Sequence, residues 1–430
     1  MTSHALLQRS ALILGGGVLA AALAFGSGSA AFAAASPNAA SAATAVKTAT
    51  ASGPAGLNYV ALGDSYSAGY GLGSYSSTSP ADGCFQSSQN FPHQVAQALG
   101  LKLTDATCSG ATMANVTDTA QNTGLGIAPV QLGALSASTN IVTVTISGND
   151  LGFADIALNC AALGANGPLA NGVGNDCEST YAPGGVDSLK PKIDNTITPD
   201  LNKTFADIRS HAPNAKIFVI GYPALAPNVA NTPAGGCFTS ALASPPNILT
   251  PPFPENAYPY TTHDVPYLNQ TEGELNAAIQ AQAEAVPGVQ FLPLFSQTQA
   301  NTPCAGNPNS DLFGITLQPL TSPPTGIPIP RLGSIQLALG ALHPNQRGVD
   351  VLTTTVKAAI NAAFPVDSGG SGTQPVTTVT GPVNAASTAP LLADSGSDAA
   401  TALAAGALAL FLGMGTLILV AIRRRSAKRR

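Results

Sequence analysis

Ser65 stands in the run Gly63-Asp64-Ser65-Tyr66, directly after a short apolar segment at residues 58–62. A serine hydroxyl becomes a nucleophile only when a neighbouring base takes its proton. A glycine-opened turn at the end of a strand would hold that hydroxyl at the rim of a sheet, and Gly69, Gly71 and Gly73 would keep the approach uncluttered. Taken alone, Ser65 would serve equally well as a helix cap. Asn149 follows a second apolar run, in Ser147-Gly148-Asn149-Asp150. Its amide can donate to the oxyanion that forms when an ester carbonyl is attacked. Gly110, in Cys108-Ser109-Gly110-Ala111, adds a backbone N–H that no side chain shields. Singly, an Asn or a Gly is more often a turn residue.

A base must accompany the serine. The chain has five histidines, His4, His93, His211, His263 and His343. His4 falls in a signal segment, and His93 and His211 belong to stretches that read as helical. His343, in Ala341-Leu342-His343-Pro344-Asn345, precedes the last helix of the domain, whose first turn suits Pro344. His263, beside Asp264, is its rival.

The elements that must position these residues read as alternating strands and helices. Strands are expected at 58–62, 141–146, 216–222 and 289–294, and helices at 91–99, 268–286 and 346–364. That alternation predicts an α/β fold with a central parallel sheet covered on both faces. In such sheets functional groups gather at the carboxyl ends of strands, which is where Ser65 and Asn149 fall.

Both ends of the chain read as trafficking segments. Residues 1–33 carry a basic Arg9, an apolar run and the small-x-small pattern Ala31-Phe32-Ala33, which together predict a signal peptide. Residues 34–56 are Ala/Ser/Thr-rich and read as a flexible leader, and 366–398, rich in Gly, Ser, Thr and Pro, as a stalk. Residues 399–422 are apolar and long enough to span a bilayer, and the basic 423–430 would stay cytoplasmic, leaving the domain at 57–365 outside. Setting aside Arg9 and the six tail cations leaves ten Lys/Arg against 22 Asp/Glu. That balance argues against nucleic-acid binding. Cys84, Cys108, Cys160, Cys177, Cys237 and Cys304 all lie in the exported region without a CxxC pair, so three disulfides are expected and a zinc site is not. Six cysteines allow fifteen connectivities.

Gly63-Asp64-Ser65-Tyr66, Gly110, Gly148-Asn149-Asp150 and His343-Pro344-Asn345 together resemble the GDSL/SGNH hydrolase family, in which four blocks supply Ser, Gly, Asn and His in that chain order. The resemblance spans nearly the whole of 57–365. It implies Ser65 as nucleophile and His343 as general base. The Ser65 and Gly110 backbone N–H groups with the Asn149 side chain would form the oxyanion hole. It also implies a flavodoxin-like three-layer α/β/α sandwich, no metal or cofactor, and a monomer acting on a small-molecule or lipid ester. The exported six-cysteine form resembles the actinobacterial esterase and lipase branch, in which the disulfides pair neighbouring cysteines. The family usually carries an Asp three residues before the histidine, where this chain has Gly340. A main-chain carbonyl near that position is the expected substitute, with Asp350 and Asp264 as carboxylate alternatives.

Other readings fit worse. An α/β-hydrolase elbow wants a glycine where Ser67 stands, and Gly69-Tyr70-Gly71-Leu72-Gly73 lacks the spacing of a dinucleotide loop. A catalytically silent surface-binding module on the same fold is the alternative, motivated by the absent Asp. Leu392-Ala393-Asp394-Ser395-Gly396, ahead of the apolar run and basic tail, resembles a sortase sorting signal with Ser for Thr. It implies linkage to peptidoglycan, the alternative being a plain membrane anchor. Segments 161–183 and 232–266 are expected to shape the substrate pocket.

Overall fold

In a strand, successive side chains point to opposite faces, so a strand that is apolar at every position needs cover on both. Strand β1 (Asn58–Gly63) is buried at every position after Asn58 and needs such cover. A computed structural model describes residues 53–76, 83–306, 308–320, 331–332 and 335–366. In it, Val60 and Leu62 enter one apolar core and Tyr59 and Ala61 the other. The same division runs through β3 (Ile141–Thr145) and β4 (Lys216–Ile220): Val142, Val144, Ile217 and Val219 face the first core, and Ile141, Phe218 and Ile220 the second. With β2 (Lys102–Asp105) and β5 (Val289–Leu292) these form a five-stranded, all-parallel sheet in the order β2-β1-β3-β4-β5. That is the flavodoxin-like order, with its switch point between β1 and β3.

Helices α4 (Thr198–His211) and α5 (Asp264–Glu284) cover the first face, placing Leu201, Phe205, Ile208, Leu275 and Ile279 in its core. Helices α2 (Phe91–Leu99) and α6 (Gln346–Ala363) cover the second with Phe91, Val95, Leu352, Val356 and Ile360. The result is the expected three-layer sandwich. Two short helices, α1 (Ser65–Ala68) and α3 (Gly148–Leu151), start where β1 and β3 end. A small antiparallel sheet of Leu317–Pro319, Ile335–Leu337 and Arg331–Leu332 stands apart from the main one.

The boundaries differ from expectation for local reasons. Strand β5 stops at Leu292 because Pro293 has no N–H to continue the ladder. Helix α5 begins at Asp264 rather than 268, since Pro266 falls in its first turn and does not break it. Strand β2 was not anticipated: it is a four-residue edge strand, KLTD, with no fully buried position to give it an apolar signature. Most of α4 was likewise unread, because its polar face outweighs its buried stripe.

Three disulfides join Cys84 to Cys108, Cys160 to Cys177 and Cys237 to Cys304. Among the described residues no helix is long and apolar enough to cross a membrane. The expected signal peptide, nearly all of the leader and the stalk, the 399–422 span and the basic tail lie outside the described residues.

Phe205 is fully buried between α4 and the sheet. Phe205→Ala should therefore destabilise the fold by about 3–5 kcal/mol, read as a lowered midpoint in urea unfolding with an unchanged slope.

Candidate active site

The turn after β1 is fixed before any catalytic question arises. Gly63 has φ +130°, and a Cβ there would lie 2.5 Å from the Thr145 carbonyl oxygen, so the position requires glycine. The next residue, Asp64, is 1 % exposed and caps α1: its Oδ1 accepts from the Tyr66 N–H at 3.0 Å and from the Thr145 hydroxyl at 2.9 Å. Its Oδ2 accepts from the Tyr222 hydroxyl, which in turn accepts from the Gly148 N–H at 2.9 Å. One carboxyl thus ties together the ends of β1, β3 and β4. Burial pushes it up to about 6, and its hydrogen bonds with Tyr222, Thr145 and Tyr66 oppose that rise.

Ser65, the first residue of α1, is held at the mouth of this turn and is 9 % exposed. His343 Nε2 lies 2.8 Å from Ser65 Oγ. His343 Nδ1 lies 2.8 Å from the Ala341 carbonyl oxygen. A carbonyl can only accept, so Nδ1 carries the proton and Nε2 presents its lone pair to the serine hydroxyl. Tyr66 and Tyr70 flank the ring, with centroids 5.0 and 5.1 Å away, and the Tyr66 hydroxyl donates to the Leu342 carbonyl at 2.7 Å. Burial lowers the imidazole to about 4, against the Ala341 hydrogen bond, which favours the charged form. The ring is therefore neutral at physiological pH.

Gly110 and Asn149 line the same cavity as Ser65 and His343. Gln121 Nε2 donates to the Ser109 carbonyl at 2.8 Å, which fixes the peptide plane carrying the Gly110 N–H. The N–H groups of Ser65 and Gly110 have no hydrogen-bond partner among the described residues. Asn149 Nδ2 donates one proton to the Ala111 carbonyl at 2.9 Å, leaving the other to face the cavity. Ser147, with φ +101°, turns the chain so that Asn149 follows β3 directly.

The carboxylate alternatives are elsewhere. Asp264 is buried at the start of α5, accepting from the Cys177 and Glu178 N–H groups and the Thr261 hydroxyl. Asp350 is exposed on α6 and bonded to Gln346. The rival base, His263, is exposed and 3.5 Å from Glu178, away from Ser65. His93 contacts Asn90 and Asp105, and His211 bonds the Asp207 carbonyl at the end of α4. Of the two pocket-forming segments, 232–266 contributes Tyr258 and Tyr260 to the cavity walls. Segment 161–183 contributes no wall residue and acts by pairing with that one, through Ala162 N–H to Pro259 and Thr262 N–H to Ala165. Sequence reading missed Asp64 as a linchpin and Tyr222 entirely. The Asp was visible inside the motif, but nothing marked the tyrosine 158 residues away.

Two cavities meet at Ser65. One is narrow, about 80 Å³, and runs under Tyr66 and Tyr222 to α5. The other is a groove of about 370 Å³ lined by Gly110, Asn149 and His343.

At the switch point of a parallel α/β/α sandwich, a serine and a neutral histidine stand within hydrogen-bond distance, an arrangement suited to hydrolytic chemistry. Residues 61–351 match the model of the GDSL-like lipase/acylhydrolase family, and the chain belongs to that family. It is a carboxylic ester hydrolase. Lipase 2 of Streptomyces coelicolor is 34% identical over 237 residues, which are 55% of this chain and 69% of that one. An esterase of Streptomyces scabiei is 28% identical over 311 residues, 68% of this chain and 82% of the relative. Among solved structures, phospholipase A1 from Streptomyces albidoflavus aligns with TM-score 0.47 at 23% identity, over 71% of this chain and 99% of that one.

Gly340, at the position of the family's usual Asp, has φ +83°, and a Cβ would lie 2.9 Å from Gly71 Cα and 3.0 Å from Phe313. Gly340→Asp should therefore not restore a third catalytic residue. It should destabilise the protein by about 2–4 kcal/mol, from left-handed strain and overpacking, and lower kcat; Gly340→Ala should lose similar stability. A Gly340→Asp protein with unchanged Tm and raised kcat would contradict this reading.

Proposed function

We propose that the chain is an exported serine esterase working through an acyl-enzyme on Ser65. What carries the reading is the pair of 2.8 Å contacts at His343, one to the Ser65 hydroxyl and one to the Ala341 carbonyl. Ser65 Oγ attacks the ester carbonyl as His343 Nε2 takes its proton. The negative charge that develops on the carbonyl oxygen is met by the Ser65 and Gly110 N–H groups and the Asn149 amide. His343 returns the proton to the departing alcohol, leaving Ser65 acylated. Water then attacks the acyl group as His343 takes its proton, and His343 passes that proton to Ser65 Oγ as the Oγ–acyl bond breaks and the acid leaves. The imidazolium formed at each stage is supported by the Ala341 carbonyl dipole instead of a carboxylate.

Export is supported by the signal pattern of residues 1–33 and by three disulfides, which persist in an oxidising compartment. Retention at the surface through residues 392–430, by membrane span or by sortase linkage to peptidoglycan, belongs to the same proposal and rests on sequence alone.

The direct test is labelling with a fluorophosphonate probe and turnover of p-nitrophenyl acetate. Ser65→Ala should abolish labelling, and Ser65→Ala and His343→Ala should each lower kcat by about 10⁴-fold or more with little change in Tm. Label that survives in Ser65→Ala, or turnover unaffected by His343→Ala, would overturn the assignment. Turnover that disappears in His343→Ala would exclude the silent binding module, and a wild type without turnover would favour it.

The lowered histidine adds a pH prediction. His343 is an effective base only when neutral, so kcat/KM should be level through neutral pH and fall on the acid side through about 4. A pH–rate profile breaking near 6.5 would mean that the ring is not desolvated as the structure has it.

A further inference from the structure

The two cavities at Ser65 are not interchangeable, because His343 belongs to only one of them. It lines the open groove with Gly110 and Ala341, whereas the narrow pocket contains Ser65 and Asn149 but not the histidine. In ester cleavage the departing alkoxide must collect the proton that His343 Nε2 holds. The alcohol half of the ester must then leave on the groove side, and the acyl half must enter the narrow pocket.

The lining of the narrow pocket is mostly apolar, including Tyr66, Leu151 and Tyr222, and on the α5 side it is bounded by Leu268, Glu272 and Leu275. Glu272 Oε2 accepts from the Leu225 and Ala226 N–H groups at 3.0 and 3.2 Å, anchoring the loop after β4. Its other oxygen makes no hydrogen bond among the described residues. Burial pushes this carboxyl up to about 8, so at neutral pH it is the uncharged acid and can bound an apolar pocket without an unpaired charge. Methylenes reaching it would meet a polar group that they cannot pair.

Resting on the catalytic reading above, we propose that the enzyme is selective for short acyl groups and permissive toward bulky alcohols. The acyl chain occupies the narrow pocket bounded by Glu272 and its α5 neighbours, and the alcohol lies in the groove beside His343. A water-sized group needs ~10–15 Å³ of cavity measured this way. The 80 Å³ pocket therefore takes a chain of about six carbons, while the 370 Å³ groove takes an aryl or glyceryl alcohol without crowding.

The experiment crosses acyl length, from acetate to palmitate, with alcohol size, from methyl to naphthyl, and reads kcat/KM. The expected result is a maximum at four to eight carbons, a fall of about tenfold or more by twelve carbons, and little dependence on the alcohol. Leu268→Ala, which opens the α5 side of the pocket from a half-buried position, should move the acyl optimum two or more carbons longer and leave the alcohol profile in place. Leu275→Ala should do the same if it folds. A profile flat in acyl length but steep in alcohol size, or a Leu268→Ala shift in alcohol preference instead, would overturn the assignment. Binding to the Ser65→Ala protein separates this idea from the chemistry. Hexanoate should raise its Tm and palmitate should not, whether or not the wild type turns over any ester. Equal shifts from the two acids would overturn the pocket limit even in an active enzyme.

Discussion

The buried carboxyl of Asp64 is the constraint on which the site depends. It receives hydrogen bonds from the N–H of the helix that begins with Ser65, from the Thr145 side chain on β3 and from the Tyr222 hydroxyl just beyond β4. Three strand ends that are far apart in sequence are therefore referred to one point. Tyr222 extends the tie by accepting from the Gly148 N–H, so the turn that presents Asn149 is held by the same group that caps the turn presenting Ser65. A network of this kind, in which every member is satisfied, specifies a single arrangement more sharply than apolar packing can. Desolvating a carboxyl opposes its ionisation, which is why burial is the largest influence on Asp64 and its hydrogen bonds act against it.

Around that point the sheet supplies position and the loops supply chemistry. The order β2-β1-β3-β4-β5 opens a crevice between β1 and β3, where consecutive connections leave toward opposite faces. Ser65 and Asn149 come from the two strands that border it. Gly110 follows the Cys84–Cys108 disulfide, and the Ser109 N–H also bonds the Cys84 carbonyl, so this donor loop is clamped at its base. His343 comes last in the chain and needs a long return path. Its loop is fastened by the Phe313 N–H to the His343 carbonyl and by Tyr66 to the Leu342 carbonyl before Asn345 caps α6.

What could be read from the sequence follows from how local each signal is. The strands β1, β3, β4 and β5 and the helices α2, α5 and α6 are visible because burial on one or two faces imposes a periodicity on contiguous residues. Strand β2 is not, because an edge strand owes its place to pairing with β1 and not to its own apolar content. Ser65, Gly110, Asn149 and His343 could each be proposed because every one sits in a short run whose neighbours are also constrained. Tyr222, Gln121 and Glu272 are single residues whose neighbours carry no such mark, and they acquire meaning only from a partner far along the chain. The substitute for the missing Asp belongs to the same category. A main-chain carbonyl leaves no trace in residue identity, and Gly340 records only that Gly71 and Phe313 approach too closely for a side chain.

Replacing a carboxylate by a carbonyl behind the histidine changes more than the hydrogen bond. A carboxylate would stabilise the imidazolium by charge as well as by hydrogen bonding, raising the basicity of Nε2. The Ala341 oxygen offers only a dipole, and burial of the ring between Tyr66 and Tyr70 is left to dominate and lower its proton affinity. A weaker base removes the Ser65 proton less readily, but it remains unprotonated over a wider acid range, and Brønsted behaviour makes the first loss smaller than the full change in basicity. The same neutrality extends to Glu272 on the α5 side of the narrow pocket, which burial pushes up to about 8. On the proposed mechanism the oxyanion on the substrate forms together with the His343 imidazolium, and the Ser65, Gly110 and Asn149 donors are the groups that meet it. A site without a fixed negative charge behind its base thus shifts weight from base strength to oxyanion binding. On the proposed mechanism, the Ser109–Gly110 peptide, held by Gln121, and the turn before Asn149 are what place the oxyanion donors.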